Sequence, residues 1–248
     1  VILPKKASMD FDVGRSQAFN FLTSSLYGLH TPAITSSATT HTTTTNLDWA
    51  TGDPANFQVF AIRDSLHSKD VKFSLSSSAL LPNHPGISSS YFLDVYDDQK
   101  WNLAVRLKPH GYPQSFSTGA FANPNKYTLE FYGVNYVADR KVNEFIATAS
   151  VTKATAENFL ANPKRLYAGA HITNFTGAAL QYSDAKIVSL RYWMNYLDNT
   201  VIQDHAMDPS NFGAGRPDRS AYLLHSDLGA FTSSNVIVSA SVEVPQIE

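Results

Sequence analysis

The chain has 248 residues, of which 43% are hydrophobic and 16% charged, and its formal net charge is −2. This length is enough to bury a core, and the near-neutral charge gives no field that would attract nucleic acid or an anionic membrane surface. The lack of cysteine excludes disulfides, zinc–thiolate sites and thiol catalysis, and no apolar run reaches the ~18 residues that span a bilayer. We therefore expect neither nucleic acid nor a membrane as a partner.

The first 46 residues differ in composition from the rest. Residues 9–13 alternate between apolar and polar side chains, which predicts a short strand. Between Thr35 and Thr45, nine of eleven residues are Ser or Thr, which predicts an exposed loop. We therefore expect an N-terminal strand and loop or arm at 1–46 and a main domain at 47–248, with one domain overall as the simpler interpretation. The first residue is not Met and the chain ends in VEVPQIE, which favours a segment of a longer polypeptide or a processed chain.

Strand patterns recur at regular intervals after residue 56. Residues 57–63 are apolar on both faces and predict a central strand, whereas residues 71–75 alternate and predict one solvated face. Residues 91–95 and 101–107 alternate on either side of a polar stretch at 97–100. That arrangement predicts a hairpin with Asp97 and Asp98 at its tip.

The second half of the chain adds strands and two short helices. Further strands are predicted at residues 127–131, 145–151, 166–172 and 236–244, and the helix formers at 153–162 predict a helix that ends before Pro163. Residues 187–194 alternate like a strand, and Asp198 or Asn199 then caps a predicted helix that ends before Pro209. Strands without βαβ spacing favour an all-β antiparallel sandwich with two short helices.

The order of these features resembles the late part of concanavalin A-like, laminin-G-type jelly rolls. A Trp-bearing strand at 100–107 is followed by RLYAGAHITNFTGA and then by AKIVSLRYWMNYLDNTVIQDHA, in which the short helix follows the strand. The likeness spans roughly residues 57–210. It implies a concanavalin A-like jelly roll, and we interpret residues 185–209 as scaffold.

A narrower likeness concerns four stretches, LYGLHTP, NFQVFAIRD, FLDVYDDQKWNLAVRLKP and KATAENFLANPKRLYAGAHITNFTGA. They resemble laminin-G-like modules in large virion structural proteins of tailed marine bacteriophages. The resemblance implies a noncatalytic component of a virus particle, located in the virion. Its expected partners are other virion proteins or copies of itself, and cell-surface glycans are the alternative.

Catalysis is the less favoured interpretation. Glycoside hydrolases of this fold carry several acids on one strand, spaced as E-x-D-x-(x)-E, so that carboxylates share a face. Here Glu130 stands alone in YTLEFYG, and no Tyr/His cluster typical of a polysaccharide lyase is visible. We therefore predict that the chain is not an enzyme.

Two kinds of binding site are considered. Laminin-G-type modules often hold a structural calcium ion with aspartate and carbonyl oxygens, so Asp97 and Asp98 are candidate ligands, with Asp10 and Asp12 as further ones. The alternative is that Asp97 and Asp98 form a turn. For glycans, exposed aromatic rings would stack on sugars, and Trp49 and Tyr112 are the candidates in loop-like sequence.

Three other residues that could serve as binding groups are predicted to be structural. Trp101 and Trp193 lie in predicted strands and are expected in the core. His205, on the second helix, is expected to pack or to lie at the surface rather than to bind a ligand.

Overall fold

The computed structural model describes residues 1–4, 22–31, 55–65, 68–110, 126–162, 164–169, 171–172, 179–181, 183–193, 196–208, 210–211 and 213. The predictions for residues 9–13, 35–45 and 236–244 lie outside these ranges. The chain divides into two compact units, Val1–Leu190 and Arg191–Glu248.

The first unit is built from antiparallel strands. In chain order they are β1 (Ile2–Leu3), β2 (Thr23–His30), β3 (Asn56–Arg63), β4 (Val71–Ser76), β5 (Ile87–Phe92), β6 (Gln99–Pro109), β7 (Lys126–Val137), β8 (Arg140–Thr152), β9 (Arg165–Ala168), β10 (His171–Ile172) and β11 (Ala179–Gln181). One sheet has the order β1-β6-β7-β8, a second has the order β5-β4-β3-β2-β9, and β10 pairs with β11. Two strands within residues 1–46, β1 and β2, therefore belong to the two larger sheets.

Aromatic side chains from the two larger sheets meet between them. Phe73 and Phe92 lie on the five-stranded sheet, and each ring centroid is 4.8 Å from that of Trp101 on β6. Phe145 on β8 stacks on Phe73 with the centroids 5.8 Å apart. Such ring pairs add about 0.5–1.5 kcal/mol beyond the area they bury. The antiparallel β-sandwich is thus confirmed, and so is the core position of Trp101, which is 1% exposed.

Several local predictions are also confirmed. β3 lies in the middle of its sheet and is buried on both faces, whereas β4 alternates between buried and half-buried residues. α1 (Lys153–Ala161) begins after Thr152, whose side chain accepts from the Thr155 N–H, and its C-cap is Asn162. α2 (Asn199–Met207) belongs to the second unit, and its cap is Asp198, which accepts from the Val201 N–H at 3.0 Å. No helix in the described ranges is long and apolar enough to cross a membrane.

The predicted hairpin at residues 91–107 is wrong. β5 pairs with β4 in the five-stranded sheet, while β6 pairs with β1 and β7 in the four-stranded sheet. The connection between β5 and β6 crosses the core, where Val95 and Tyr96 are almost fully buried. Alternation on both sides of a polar tip predicts two strands, but it does not determine which strand pairs with which.

The predicted strand at residues 187–194 is also wrong. Lys186 forms one antiparallel bridge with Ile2, and residues 187–193 have no regular secondary structure. The alternation is present, but a strand needs a neighbour, and β1 offers only two residues.

A third correction concerns the continuous strand predicted at residues 166–172. β9 ends at Ala168, and β10 starts a separate ladder with β11. Gly169 lies between them with φ +76°, a left-handed conformation that suits glycine, and its N–H donates to the Leu26 carbonyl of β2.

Candidate functional site

Of the residues predicted from the sequence to bind glycans or calcium, the structure describes two. Trp49, Tyr112, Asp10 and Asp12 lie outside the described residues. Asp97 and Asp98 lie in the connection that crosses from β5 to β6.

In this connection the two aspartates have different surroundings. The carboxylate of Asp97 is 3.7 Å from the ammonium of Lys69, and both groups are part-exposed. Asp98 adopts a left-handed φ of 62°, and its N–H donates to the Leu3 carbonyl at 3.0 Å. Within the ranges that the structure describes, no group of three or more His, Asp or Glu side chains is placed to hold a metal ion.

A buried ion pair joins the five-stranded sheet to a segment far along the chain. The guanidinium of Arg63, at the end of β3, is 2.6 Å from a carboxylate oxygen of Asp184, and their side chains are 1% and 3% exposed. The other carboxylate oxygen accepts from the Tyr96 hydroxyl at 2.7 Å, and the Tyr96 ring centroid lies 3.6 Å from the guanidinium carbon. We call these three residues the Asp184 network.

The Asp184 network fixes the segment around residues 184–186, in which the regular strand pairing consists of one bridge at Lys186. The Asp184 N–H donates to the Ser24 hydroxyl at 3.1 Å, and two residues later Lys186 bridges to Ile2. Burial, followed by the charge of Asp184 and the hydrogen bond to it, raises the pKa of Tyr96 well above its usual range. The hydroxyl therefore remains protonated and continues to donate to Asp184.

A second buried network lies on the four-stranded sheet. Glu130 on β7 is directly opposite Arg106 on β6, with 3.0 Å between the charged groups, and Lys108 approaches the other carboxylate oxygen at 2.7 Å. The Tyr132 ring centroid is 5.0 Å from the guanidinium of Arg106. We call Arg106, Lys108, Glu130 and Tyr132 the Glu130 network.

The Glu130 network extends to the surface through one hydroxyl. Tyr132 is fully buried and donates to Glu144 on β8 at 2.6 Å, and Glu144 pairs with the part-exposed Lys141. Charged groups of both signs thus cross three neighbouring strands. Glu130, the isolated acid in the sequence, is held in ion pairs at 5% exposure.

Polar side chains are also buried on the five-stranded sheet. The Gln58 amide donates to the Ser25 hydroxyl at 2.5 Å, and the His30 ring stacks on that of Tyr167 with centroids 4.8 Å apart. Gly28 lies opposite Gln58, and a Cβ at this position would collide with the Gln58 side chain and with the Phe57 carbonyl. The sequence pattern gave no signal for this group, because each member lies in an ordinary strand.

In the second unit, His205 has a structural environment. It is 7% exposed, and its ring stacks on Trp193 with the centroids 5.6 Å apart. Its Nε2 lies 2.7 Å from the Gly213 carbonyl and therefore donates to it. The expectation that His205 packs rather than binds is supported by these contacts. Trp193 is half-buried and is therefore more exposed than we predicted for a core residue.

Exposed apolar side chains occur on the hairpin of β7 and β8. Val137, Val142 and Ile146 are each more than half exposed, and we call them the hairpin surface. The turn of this hairpin consists of Ala138 and Asp139, both with positive φ, as a two-residue turn requires. Comparison with family models, curated proteins and solved structures finds no match for the chain.

Proposed function

We propose that the chain is a noncatalytic interaction module of a phage-like virion, where it docks to copies of itself or to other particle proteins. The hairpin surface is the observation that supports this proposal most directly. Three large apolar side chains on one hairpin cost free energy in water, and their burial in a contact recovers about 25 cal/mol per Å². The resemblance to virion modules supports the same function.

Self-association and its loss on mutation test the docking role. Ile146→Lys places a charge in the hairpin surface, whereas Thr148→Lys, two residues along the same face of β8, places it beside that surface. We expect sedimentation equilibrium to show association that Ile146→Lys weakens and Thr148→Lys preserves. A chain that stays monomeric at millimolar concentration, and that does not bind to purified particle proteins, would contradict the proposal.

We also propose that the sandwich is a concanavalin A-like jelly roll. The order of its features in sequence carries this proposal, and the two antiparallel sheets and the capped helix α2 are compatible with it. An experimental structure of the whole chain tests it, because a jelly roll requires a specific strand connectivity across both sheets.

Carbohydrate binding is the alternative function, and one exposed aromatic ring favours it. Tyr91 on β5 is 43% exposed, and Lys72 lies over its ring at 5.5 Å. A glycan array with the parent chain and with Trp49→Ala, Tyr112→Ala and Tyr91→Phe tests this alternative. Selective binding that the alanine variants remove would support a lectin, and an array without binding would remove the alternative.

A calcium ion at Asp97 and Asp98 stays a prediction from the sequence and the family resemblance. Bound calcium stabilises the folded state in proportion to its affinity. If the ion binds there, calcium raises the melting temperature of the parent chain but not that of Asp97→Asn. An equal shift in both chains would place any bound ion elsewhere.

A further inference from the structure

In the described part of the chain, the four-stranded sheet ends at β8. Val1 and Trp101 exchange two backbone hydrogen bonds of 2.8 Å, so Trp101 points its N–H and C=O groups away from β7. These directions alternate along a strand, and the ladders from Trp101 across β7 to β8 have no register shift from Asn143 onwards. It follows that Ile146 and Thr148 also point their backbone groups away from β7, towards the outer edge of the sheet.

This outer edge of β8 is exposed to solvent. Ile146 is 51% exposed, and Thr148 and Ser150 are also exposed. Among the described residues, no strand follows β8 in its sheet, and no backbone hydrogen bond joins these three residues to an element other than β7. β5, at the end of the other sheet, reaches β8 through side chains, with the ring centroids of Phe92 and Phe145 5.7 Å apart. The outward N–H and C=O groups of β8 are therefore accessible to a further strand.

β8 differs from the other end strands of the two larger sheets that the structure describes. β1, β5 and β9 have two, six and four residues, whereas β8 has thirteen. Proteins usually shield a long sheet edge from another chain with proline, charge or a bulge. Residues 145–152 contain no proline and no charged side chain, and their ladder with β7 is regular. We therefore expect another strand to cover this edge.

The side chains of β8 fit a second copy of the same strand. In an antiparallel pair, outward-pointing residues must face each other, so a two-fold axis passes through a residue and not between two. With the axis at Ala147, Ile146 of one copy faces Thr148 of the other and lies diagonal to the second Ile146. Glu144 then lies opposite Ser150, among hydroxyl groups. An axis at Ile146 would bring the Glu144 carboxylate next to Ile146 of the second copy, and an axis at Thr148 would separate the two isoleucines.

We propose that two copies of the chain join edge to edge through β8, antiparallel, around a two-fold axis at Ala147. The four-stranded sheets of the two copies then form one continuous sheet, and their hairpin surfaces lie on the same side of it. Ile146 and Thr148 of each copy exchange backbone hydrogen bonds with Thr148 and Ile146 of the other. This proposal names the partner and the contact for the docking role proposed above, and it rests on that role.

Two substitutions at one position test the backbone pairing. Thr148→Pro removes an N–H group that points away from β7, so the ladder within the chain keeps its hydrogen bonds. Each dimer then lacks two hydrogen bonds, and we expect sedimentation equilibrium to show a Kd of self-association raised by about tenfold or more. Thr148→Lys is the matched control, because it keeps the N–H group and places its ammonium group beside Glu144 of the second copy. Its Kd should equal that of the parent chain or be lower.

Hydrogen exchange of the parent chain tests the same pairing without a substitution. The Ile146 and Thr148 amides point outward in a single copy and are bonded in the dimer. We therefore expect their exchange to slow by about tenfold or more between dilute and saturating protein. The Phe145 and Ala147 amides are bonded to β7 in both states and serve as the reference. Exchange at Ile146 and Thr148 that is independent of protein concentration would overturn the proposal.

Single cysteine substitutions test the register, since the chain contains no cysteine. At the proposed axis the two Cα atoms of residue 147 lie about 4.5 Å apart, within the range of a disulfide. The two copies of residue 149 lie roughly 14 Å apart, which is too far. We expect oxidation to link Ala147→Cys into a covalent dimer and to leave the matched control Ala149→Cys unlinked. Linkage of Ala149→Cys alone would overturn the register and the proposal with it.

The outcomes separate this strand pairing from the docking role. If Ile146→Lys abolishes association and Thr148→Pro preserves it, the hairpin surface docks through side chains, and the strand pairing alone is overturned. If the chain stays monomeric but purified particle proteins bind it and protect the Ile146 and Thr148 amides, the docking role stands and the second copy is overturned as the occupant. Absence of both self-association and binding would overturn both proposals.

Discussion

The two buried ion-pair networks contain the same types of residue, but their members are brought together in different ways. Each contains an arginine, a carboxylate and a tyrosine ring against the guanidinium, namely Arg63, Asp184 and Tyr96 in one and Arg106, Glu130 and Tyr132 in the other. Glu130 meets Arg106 because their strands are in register. Asp184 lies 121 positions after Arg63, so this pair forms only when the chain returns to the sandwich.

This difference in how the networks form indicates two roles for a buried ion pair, which can add stability to strands that are already paired or can position a segment that has little regular pairing. The Glu130 network joins strands that antiparallel ladders of nine and twelve residue pairs already hold together. The Asp184 network fastens residues whose regular pairing consists of one bridge at Lys186. We therefore expect the Asp184 network to contribute more to the position of its segment, and the Glu130 network to add to a structure that is already determined.

The largest effect is expected from Asp184→Ala. The substitution leaves the Arg63 guanidinium buried without its carboxylate, which costs about 3–5 kcal/mol of unfolding free energy. Denaturant unfolding measures this loss, and Asp97→Ala, which removes a part-exposed carboxylate from the same unit, should cost about 0–1 kcal/mol. Equal losses in the two variants would contradict the role assigned to the Asp184 network. The double variant Arg63→Met/Asp184→Leu should recover most of the stability, because no charge remains buried.

A smaller effect is expected from Glu130→Gln. The substitution leaves two cations without a carboxylate, but Lys108 is 20% exposed and can turn towards water, so the loss is about 2–3 kcal/mol. Glu157→Gln on α1 is the control, since its carboxylate is 53% exposed and 3.7 Å from Lys153. Unfolding curves for both variants give the comparison. A loss larger than that of Asp184→Ala would reverse the ranking of the two networks.

Tyr96→Phe tests the neutral member of the Asp184 network. The ring remains against Arg63, and the hydrogen bond to a charged acceptor is lost, at a cost of about 1.5–3 kcal/mol. The pKa of Tyr96 is raised in the folded state, so its contribution is fully present below pH ~10, the usual value, and is lost as pH rises towards the folded value. The parent chain should therefore lose more stability above pH ~10 than Tyr96→Phe does. Parallel curves for the two chains would contradict the assignment, and Tyr91→Phe controls for loss of an exposed hydroxyl.

The sequence predicted elements better than it predicted their partners. The burial period of β3 and β4, the helix at residues 153–162, the Asp198 cap and the core position of Trp101 are local properties, and the structure confirms them. Local patterns contain no information on which sheet a strand joins, so β5 and β6 were assigned to one hairpin instead of two sheets.

The candidate site was less predictable for the same reason. Glu130 appeared as an isolated acid, because Arg106 comes near it only through the register of β6 and β7. Asp184 gave no signal at all, since its partners precede it by 88 and 121 positions.

Lys141→Ala should have the smallest effect of the series. Lys141 is 43% exposed at the outer end of the Glu130 network, and its partner Glu144 also accepts from the buried hydroxyl of Tyr132. Water and salt screen the pair, whereas the bond to Tyr132 remains without Lys141. We expect unchanged unfolding free energy at high salt and a change close to the error of the measurement at low salt. A loss of unfolding free energy that equals that of Glu130→Gln and persists at high salt would contradict this expectation. It would mean that the buried and exposed ends of the Glu130 network stabilise the protein as one unit, which would then have to be compared as a whole with the Asp184 network.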